Sequence, residues 1–194
     1  GVFRRQRQMC IRDRGWEIYI SSDQAEHVFE ILWEAGKDLG LKLCGMHVMD
    51  SCRIEKAYRH FGHDITCEDH ILEAGLGFTL RLDKENFIGR DAVLRKKETG
   101  LNKRLLQFRL TDPEPLLYHN EPIIRDGEIV GYVSSGAYGY HLKGAIGLGY
   151  VPCKGQTLEQ LLASSYEIDV AGTKFAAEVS FRPMYDPSSK LMKG

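Results

Sequence analysis

The fold of this chain is decided by a stretch that opens Arg53-Ile-Glu-Lys-Ala-Tyr-Arg-His-Phe-Gly-His-Asp64 and closes Phe87-Ile-Gly-Arg-Asp-Ala92. Its first part predicts a helix. Its later part predicts a strand over residues 78–82, then a turn and the start of another helix. Glycines separate the apolar runs, where tight turns or close backbone approaches are expected. They are Gly62, Gly75, Gly77 and Gly89. The stretch holds neither a nucleophile motif nor a phosphate-binding loop.

The residues before this stretch predict a short strand and two helices. Trp16, Ile18 and Ile20 share one face of a two-residue period, which is the pattern of a half-buried strand. The next apolar side chains recur at helical spacing, and Gly40 follows them as a natural helix end. This stripe consists of Ala25, Val28, Phe29, Leu32, Ala35 and Leu39. A second helix is predicted from residue 46 to about residue 60.

The residues after the stretch predict a β domain that begins near residues 99–103. Leu106, Phe108 and Leu110 alternate with polar residues, and Asp126-Gly127 is a strong signal for a hairpin turn. Six strands at short spacing indicate a small antiparallel barrel or sandwich. They are predicted at residues 106–110, 122–125, 128–134, 145–151, 166–170 and 174–181. The predicted fold class is therefore α+β.

Composition and charge exclude several classes of protein. The chain has 194 residues and a net charge of −1, but five arginines and one aspartate fall within residues 1–14. The rest is mildly acidic, which argues against a nucleic-acid partner. No apolar window is long enough to span a membrane. Five irregularly spaced cysteines without a Cys-x-x-Cys pair argue against disulfides and zinc. We expect reduced thiols, in a cytoplasm or a mitochondrial matrix.

Two features invite a functional interpretation that we do not adopt. Residues 1–14 show neither helical nor strand periodicity, and we interpret them as a non-native or disordered tail rather than a basic arm. Three histidines near acidic residues suggest a metal site, but Gly62 is expected to end the helix that would bring them together. These histidines are His60, His63 and His70. We predict no metal.

The assembled pattern resembles the C-terminal part of the folate-dependent aminomethyltransferase family. That family includes the glycine-cleavage T-protein and the folate-binding region fused behind FAD-dependent dimethylglycine and sarcosine dehydrogenases. The resemblance implies a partial folate-binding domain at 15–100 and a six-stranded antiparallel β-barrel at 101–194. The motifs that carry it are Gly15-Trp-Glu17, Arg53-Ile-Glu-Lys56, Leu72-Glu-Ala-Gly-Leu76, Phe87-Ile-Gly-Arg90, Val130-Gly-Tyr-Val-Ser-Ser-Gly136 and Gly149-Tyr-Val-Pro152.

The resemblance implies tetrahydrofolate as cofactor and assigns three residues to its site. Glu17 holds the position of the family's pterin anchor, where a carboxylate accepts a ring N–H and the amino group beside it. Tyr138, in a predicted glycine-rich loop, either lines the folate pocket or packs at the barrel mouth. Tyr185 lies roughly where the family has an aromatic residue close to folate. For Arg53 and Glu55 a buried structural ion pair is expected rather than catalysis.

Departures from the family pattern narrow the function. Met49 replaces an arginine that contacts folate in glycine-cleavage T-proteins, which favours the dehydrogenase-fused members. The family's catalytic aspartate lies upstream of Gly15, so no catalytic residue is predicted here, and the chain has no Gly-x-Gly-x-x-Gly motif for FAD. We therefore predict a folate-binding fragment of an FAD-dependent N-methylglycine oxidoreductase, whose partners are folate and a missing FAD domain.

Two alternatives stay open. The first is a glycine-cleavage aminomethyltransferase, which works without flavin on a lipoyl carrier protein. The second is a non-catalytic regulatory relative, such as the regulatory subunit of pyruvate dehydrogenase phosphatase. An FAD domain in the same protein would exclude the first, and loss of folate binding by a folded pocket would favour the second.

Overall fold

A closed six-stranded antiparallel barrel forms the C-terminal part of the chain in a computed structural model that describes residues 18–193. Its strands follow the order β1-β4-β3-β2-β5-β6 around the barrel. The predicted α+β class and the predicted barrel are both confirmed. The strands are β1 Lys103–Leu110, β2 Pro122–Arg125, β3 Glu128–Gly139, β4 Gly144–Pro152, β5 Tyr166–Val170 and β6 Thr173–Ser180.

Most of the described α-helices precede the barrel along the chain. The described residues fall into two compact units, one of residues 47–187 and one of residues 18–46 with 188–193. No helix among these described residues has the length and apolar character needed to cross a membrane. The helices are α1 Ala25–Gly36, α2 Met46–Glu55, α3 Arg90–Thr99, α4 Leu158–Ala163 and α5 Lys190–Lys193.

The barrel has an apolar interior and an apolar patch on its outside. Phe108 and Leu110 of β1 are completely buried in the interior. Leu105, on the opposite face of the same strand, is also buried because it packs with Ile54 of α2. Burial of an isoleucine side chain such as Ile54 contributes about 2 kcal/mol. This packing fixes the C-terminal end of α2 on the barrel wall.

A buried glutamine adds polar contacts to this packing. The side-chain nitrogen of Gln107 donates hydrogen bonds to the carbonyl oxygens of Ile54 at 2.6 Å and Glu55 at 3.2 Å. Its side-chain oxygen accepts the backbone N–H of Met184 at 2.8 Å. Helix α2, strand β1 and the segment after β6 therefore meet at one side chain.

Close backbone approach explains part of the glycine-rich motif in β3. A Cβ atom placed on Gly136 would lie 2.5 Å from the carbonyl carbon of Leu117. Real Cβ atoms do not come that close to backbone atoms, so only glycine fits where β3 passes the segment around Leu117. The glycine thus brings β3 and this segment together along one wall of the site described below.

Several local predictions were wrong. Residues 78–82 form no strand; they begin with a 3-10 turn at Gly77–Thr79, and the Phe78 side chain is 81% exposed. Since no described strand pairs with this segment, the apolar pattern alone could not form a sheet. Helix α2 ends at Glu55 rather than near residue 60, because Ala57 adopts a left-handed backbone with φ of 52°.

The chain ahead of α2 also differs from the prediction. Residues Ile18–Ile20 are not a strand, and Trp16 lies outside the described residues. The apolar stripe of α1 is helical as predicted, but none of its side chains is buried; Phe29, for example, is 51% exposed. A sequence period predicts a helix, whereas burial needs a partner surface.

Two elements of the barrel domain also differ. The predicted loop at residues 136–140 is mostly strand, since β3 continues to Gly139 and pairs Tyr138 with Ala145 of β4. Helix α4 was not predicted from the sequence. It is short, but Thr157 and Gln160 close a capping box at its start.

Candidate functional site

A cavity of about 460 Å³ lies between α2, strand β3 and the segments around residues 60–63 and 116–119. This volume is within the range of small-molecule sites, and such sites are mainly apolar with a few polar groups. Here the lining combines apolar side chains with aromatic and imidazole rings. The rings belong to His47, His60, His63, Tyr118, His119, Tyr138 and Tyr140.

The walls of this cavity are joined by the buried carboxylate of Asp64, which is 1% exposed. It accepts hydrogen bonds from Nη1 of Arg53 and Oγ of Ser134, each at 2.6 Å, and from the backbone N–H of His60 at 2.9 Å. A buried carboxylate is tolerated only when charge and donors compensate its lost hydration. Asp64 therefore ties α2, β3 and the 60–64 segment into one frame.

Arg53 supplies the positive charge of this frame. Its Nε donates to Asp50 at 2.9 Å and its Nη2 donates to Oγ of Ser135 at 3.0 Å, in addition to its ion pair with Asp64. The prediction of a structural ion pair at Arg53 is confirmed. The guanidinium group of this arginine, the first residue of the Arg-x-Glu motif, stabilises the cavity wall by donating several hydrogen bonds at once.

Glu55, the second charged residue of that motif, faces a different part of the barrel. Its Oε1 accepts the backbone N–H groups of His141 at 2.7 Å and Leu142 at 3.1 Å, and its Oε2 lies 3.1 Å from Nδ1 of His141. A side chain at Gly139 would put a Cβ 3.1 Å from Oε1. The carboxylate, which is 2% exposed as a residue, therefore fastens the turn between β3 and β4 to the end of α2.

Helix α2 forms hydrogen bonds with the backbone of Tyr138 and of Tyr185, the two predicted folate-binding tyrosines. The carbonyl oxygen of Tyr138 accepts Oγ of Ser51 at 2.6 Å, and the backbone N–H of Tyr185 donates to the Glu55 carbonyl oxygen at 3.4 Å. The Tyr138 ring packs edge-on against Tyr140, with the two centroids 5.2 Å apart. One tyrosine is thus positioned by the middle of the helix and the other by its last residue.

The two predicted tyrosines have different surroundings. Tyr138 lines the cavity, and Tyr185 is not among the cavity's lining residues. Instead the Tyr185 ring packs on the His141 imidazole, with centroids 4.5 Å apart and planes tilted by 36°. Nζ of Lys56 lies 5.9 Å from the Tyr185 ring centroid. Glu17 lies outside the described residues, so its position stays a prediction.

A second cavity, of about 550 Å³, is lined in part by Tyr150, Lys103 and Asp69. Nζ of Lys103 lies 4.2 Å from the Tyr150 ring centroid and 2.6 Å from Oδ1 of Asp69. Burial, and then the charge of Asp69, raise the pKa of the Tyr150 phenol. Its buried hydroxyl has no hydrogen-bond partner among the described residues. The phenol is therefore a neutral group under ordinary conditions.

The histidines do not build a metal centre within residues 18–193, where no group of three or more His, Cys, Asp and Glu side chains has a suitable arrangement. His60 and His63 stack with ring centroids 4.5 Å apart. Nδ1 of His70 accepts the backbone N–H of Leu72 at 3.2 Å. These rings act as packing and hydrogen-bonding groups.

Two residues of the site were missed in the sequence. Asp64 appeared only as an acidic neighbour of the histidines, and His141 was not singled out at all. The partners of Asp64 include Ser134, and the partner of His141 is Glu55, both far away in the chain. No local pattern marks such contacts. The predicted strands at 128–134 and 145–151 only imply that His141 lies in the connection between them.

Comparison with known proteins agrees with this architecture. Residues 10–84 match the family model described as the GCVT N-terminal domain, and residues 103–186 match the glycine cleavage T-protein C-terminal barrel domain. Between them the two models cover most of the chain. The aminomethyltransferase T of the glycine cleavage system from Bartonella henselae has the same fold, with a TM-score of 0.74 over 89% of this chain and 47% of that chain, at 22% identity.

Longer oxidoreductases are also similar. The chain is 40% identical to 4-methylaminobutanoate oxidase (formaldehyde-forming) from Paenarthrobacter nicotinovorans over 95% of its own length and 22% of that protein. It is 32% identical to human mitochondrial sarcosine dehydrogenase over 100% of its length and 21% of that protein. It thus spans about a fifth of these relatives. The chain belongs to the glycine-cleavage T-protein family, which includes both the aminomethyltransferases and the T-protein-like part of these longer oxidoreductases.

Proposed function

We propose that this chain is the folate-binding part of an FAD-dependent dehydrogenase that oxidises an N-methylated amine of the glycine type. Tetrahydrofolate would take up the one-carbon unit as 5,10-methylenetetrahydrofolate. The observation that carries the proposal is the placement of Tyr138 and Tyr185. The backbone of each tyrosine is hydrogen-bonded to helix α2, which carries the Arg-x-Glu motif.

The residues present fit a reduced folate. Its flat ring systems pack well against aromatic side chains, and the cavity that Tyr138 lines has about 460 Å³ and several ring-bearing walls. Glu17 would accept the donor edge of the pterin, as a carboxylate does best for two parallel N–H groups. The chain offers no Gly-x-Gly-x-x-Gly motif, so the flavin is assigned to another part of the longer protein.

These assignments separate the role of the flavin from the role of this chain. Oxidation of the amine is chemistry that a bound flavin supplies. The residues of this chain bind and orient the folate: Glu17 at the pterin edge, and Tyr138 and Tyr185 against ring faces. The frame of Asp64 and Arg53 keeps the cavity walls in place for that purpose.

The oxidoreductase is favoured over a glycine-cleavage aminomethyltransferase by two observations. Met49 stands where the T-proteins have a folate-contacting arginine. The matched relatives that extend over nearly the whole chain include two proteins named for N-methylated amines, 4-methylaminobutanoate and sarcosine. The mitochondrial name of the human relative agrees with an expected cytoplasmic or matrix location.

Titration calorimetry with a stable reduced folate, 5-formyltetrahydrofolate, tests the proposal directly. We expect the wild-type chain to bind and Glu17→Gln to lose most of the affinity, because the amide offers only one acceptor to two donors. Tyr138→Ala should weaken binding, and Tyr138→Phe should keep it, because the ring face rather than the hydroxyl is used. Circular dichroism first establishes that each variant is folded.

The outcomes separate the candidate functions. Binding that Glu17→Gln abolishes supports the folate proposal. A folded wild-type chain that does not bind, even when joined to the upstream sequence of its parent protein, contradicts it and favours the non-catalytic regulatory relative. A parent protein that carries no flavin and accepts a lipoyl carrier substrate would instead identify the aminomethyltransferase.

A further inference from the structure

We propose that Glu55 and His141 form a carboxylate–imidazole pair whose outer nitrogen, Nε2 of His141, accepts a hydrogen bond from a ring N–H group of the reduced pterin. The identity of the ligand rests on the proposed function. The pair itself rests on its own geometry. His141 thereby becomes a ligand-contacting residue beside Tyr185.

The buried carboxylate selects the proton position on the imidazole. Oε2 of Glu55 lies 3.1 Å from Nδ1 of His141, and the Glu55 side chain is 3% exposed. An ionised carboxylate can only accept hydrogen bonds, so it favours the imidazole with its proton on Nδ1. Nε2 of that tautomer keeps its lone pair and acts as an acceptor.

The acceptor nitrogen belongs to an accessible side chain. The His141 side chain is 60% exposed, although Nδ1 is engaged with a buried group. Within residues 18–193 no group forms a hydrogen bond with Nε2. An oriented imidazole with one nitrogen bound and the other available is the arrangement that proteins use to present an acceptor or to transfer a proton.

Fastening the β3–β4 turn to α2 does not require the imidazole. Oε1 of Glu55 already accepts the backbone N–H groups of His141 at 2.7 Å and Leu142 at 3.1 Å. Any residue except proline at position 141 would donate the same backbone hydrogen bond. The additional Nδ1 contact therefore orients the ring rather than the turn.

The groups around the His141 imidazole favour a ligand part that is an uncharged hydrogen-bond donor and has a flat ring system. The Tyr185 ring packs against it at 4.5 Å between centroids. The charge of Lys56 beside Tyr185 is compensated by Asp186, whose backbone oxygen lies 2.7 Å and whose carboxylate lies 3.4 Å from Nζ. A reduced pterin combines a flat ring system with several ring N–H groups.

Nitrogen-15 NMR of the histidine side chains in the whole chain provides the first test. We expect free wild-type protein to show the Nδ1–H tautomer for His141, and the Nε2 resonance to move when 5-formyltetrahydrofolate is added. Glu55→Gln should populate the Nε2–H tautomer, because the amide can donate to Nδ1. This readout does not depend on catalytic activity.

Calorimetry with the same folate provides the second test. We expect His141→Ala to bind about tenfold more weakly, which corresponds to the loss of one hydrogen bond. His27→Ala, an exposed histidine of α1, is the matched control and should bind like wild type.

Each result has a defined consequence. An Nε2–H tautomer in the free protein, or unchanged affinity in a folded His141→Ala, overturns the role of His141 and leaves the folate proposal standing. A folded wild-type chain that binds no reduced folate, even when joined to the upstream sequence of its parent protein, overturns both. The expected tautomer, the moved Nε2 resonance and the selective loss of affinity together support the pair.

Discussion

Replacing Asp64 by asparagine tests whether its carboxylate holds the candidate site together. The substitution keeps size and shape but removes the charge from a side chain with 0% exposure. The carboxylate now accepts from Arg53 at 2.6 Å, from Ser134 at 2.6 Å and from the His60 backbone at 2.9 Å. An amide can keep its oxygen towards Arg53 and turn its NH₂ group towards Ser134, so the main loss is the charge.

The magnitude follows from burial and from the remaining partners of Arg53. Removing one member of a buried ion pair costs about 3–5 kcal/mol. The Arg53 side chain is 14% exposed and keeps its contact with Asp50, so we expect the lower end, about 3 kcal/mol of unfolding free energy. Asp50→Asn is the matched control. It removes a carboxylate from the same arginine, but this side chain is 43% exposed and should contribute at most about 1 kcal/mol.

Urea unfolding followed by far-ultraviolet circular dichroism measures both variants. Tryptophan fluorescence is unsuitable, because Trp16 and Trp33 lie outside the 47–187 unit that contains the site. We expect a lower midpoint with an unchanged slope for Asp64→Asn, and little change for Asp50→Asn. Equal costs for the two variants, or a cost below about 1 kcal/mol for Asp64→Asn, would refute the view that Asp64 is the central tie of the cavity wall.

Two further predictions concern the glycine motif and the effect of acid. Gly136→Ala should destabilise the chain by about 2–3 kcal/mol in urea unfolding, because its Cβ would lie 2.5 Å from a backbone atom of Leu117. An unchanged unfolding midpoint would contradict this prediction and would show that β3 can move away from Leu117. Burial would raise the pKa of Glu73, but the hydrogen bonds from Lys96 and the Asn102 N–H outweigh it and lower that pKa. A lowered pKa stabilises the fold above the carboxyl's usual range, so Glu73→Gln should cost about 2 kcal/mol near neutral pH. That difference from wild type should shrink as the pH falls below about 5, and a pH-independent difference would contradict the assignment.

The barrel was predictable because its signals are local. A period of two residues marks a strand with one buried face, and Asp126-Gly127 marks a hairpin turn through its backbone preferences. Both signals depend on near neighbours in the chain. The strands β2 and β5 accordingly have the bounds that were predicted, Pro122–Arg125 and Tyr166–Val170.

The failures occurred where a distant partner decides the outcome. Residues 78–82 have strand-like composition but no strand to pair with among the described residues, so they form turns. The 136–140 segment has loop-like glycines, yet β4 pairs with it and makes most of it strand. Pairing across a sheet depends on contacts that the local pattern does not contain.

The sequence by itself determined the fold class, the family resemblance and the residue types available for a folate site. Glu17, Tyr138 and Tyr185 were named from motif positions alone. The tertiary structure decided which groups meet: Tyr138 lines the cavity, and Tyr185 packs on His141, whose imidazole is oriented by Glu55. Secondary structure follows from interactions within a few residues. The site follows from the docking of α2 on the barrel, which brings residues 86 positions apart within hydrogen-bonding distance.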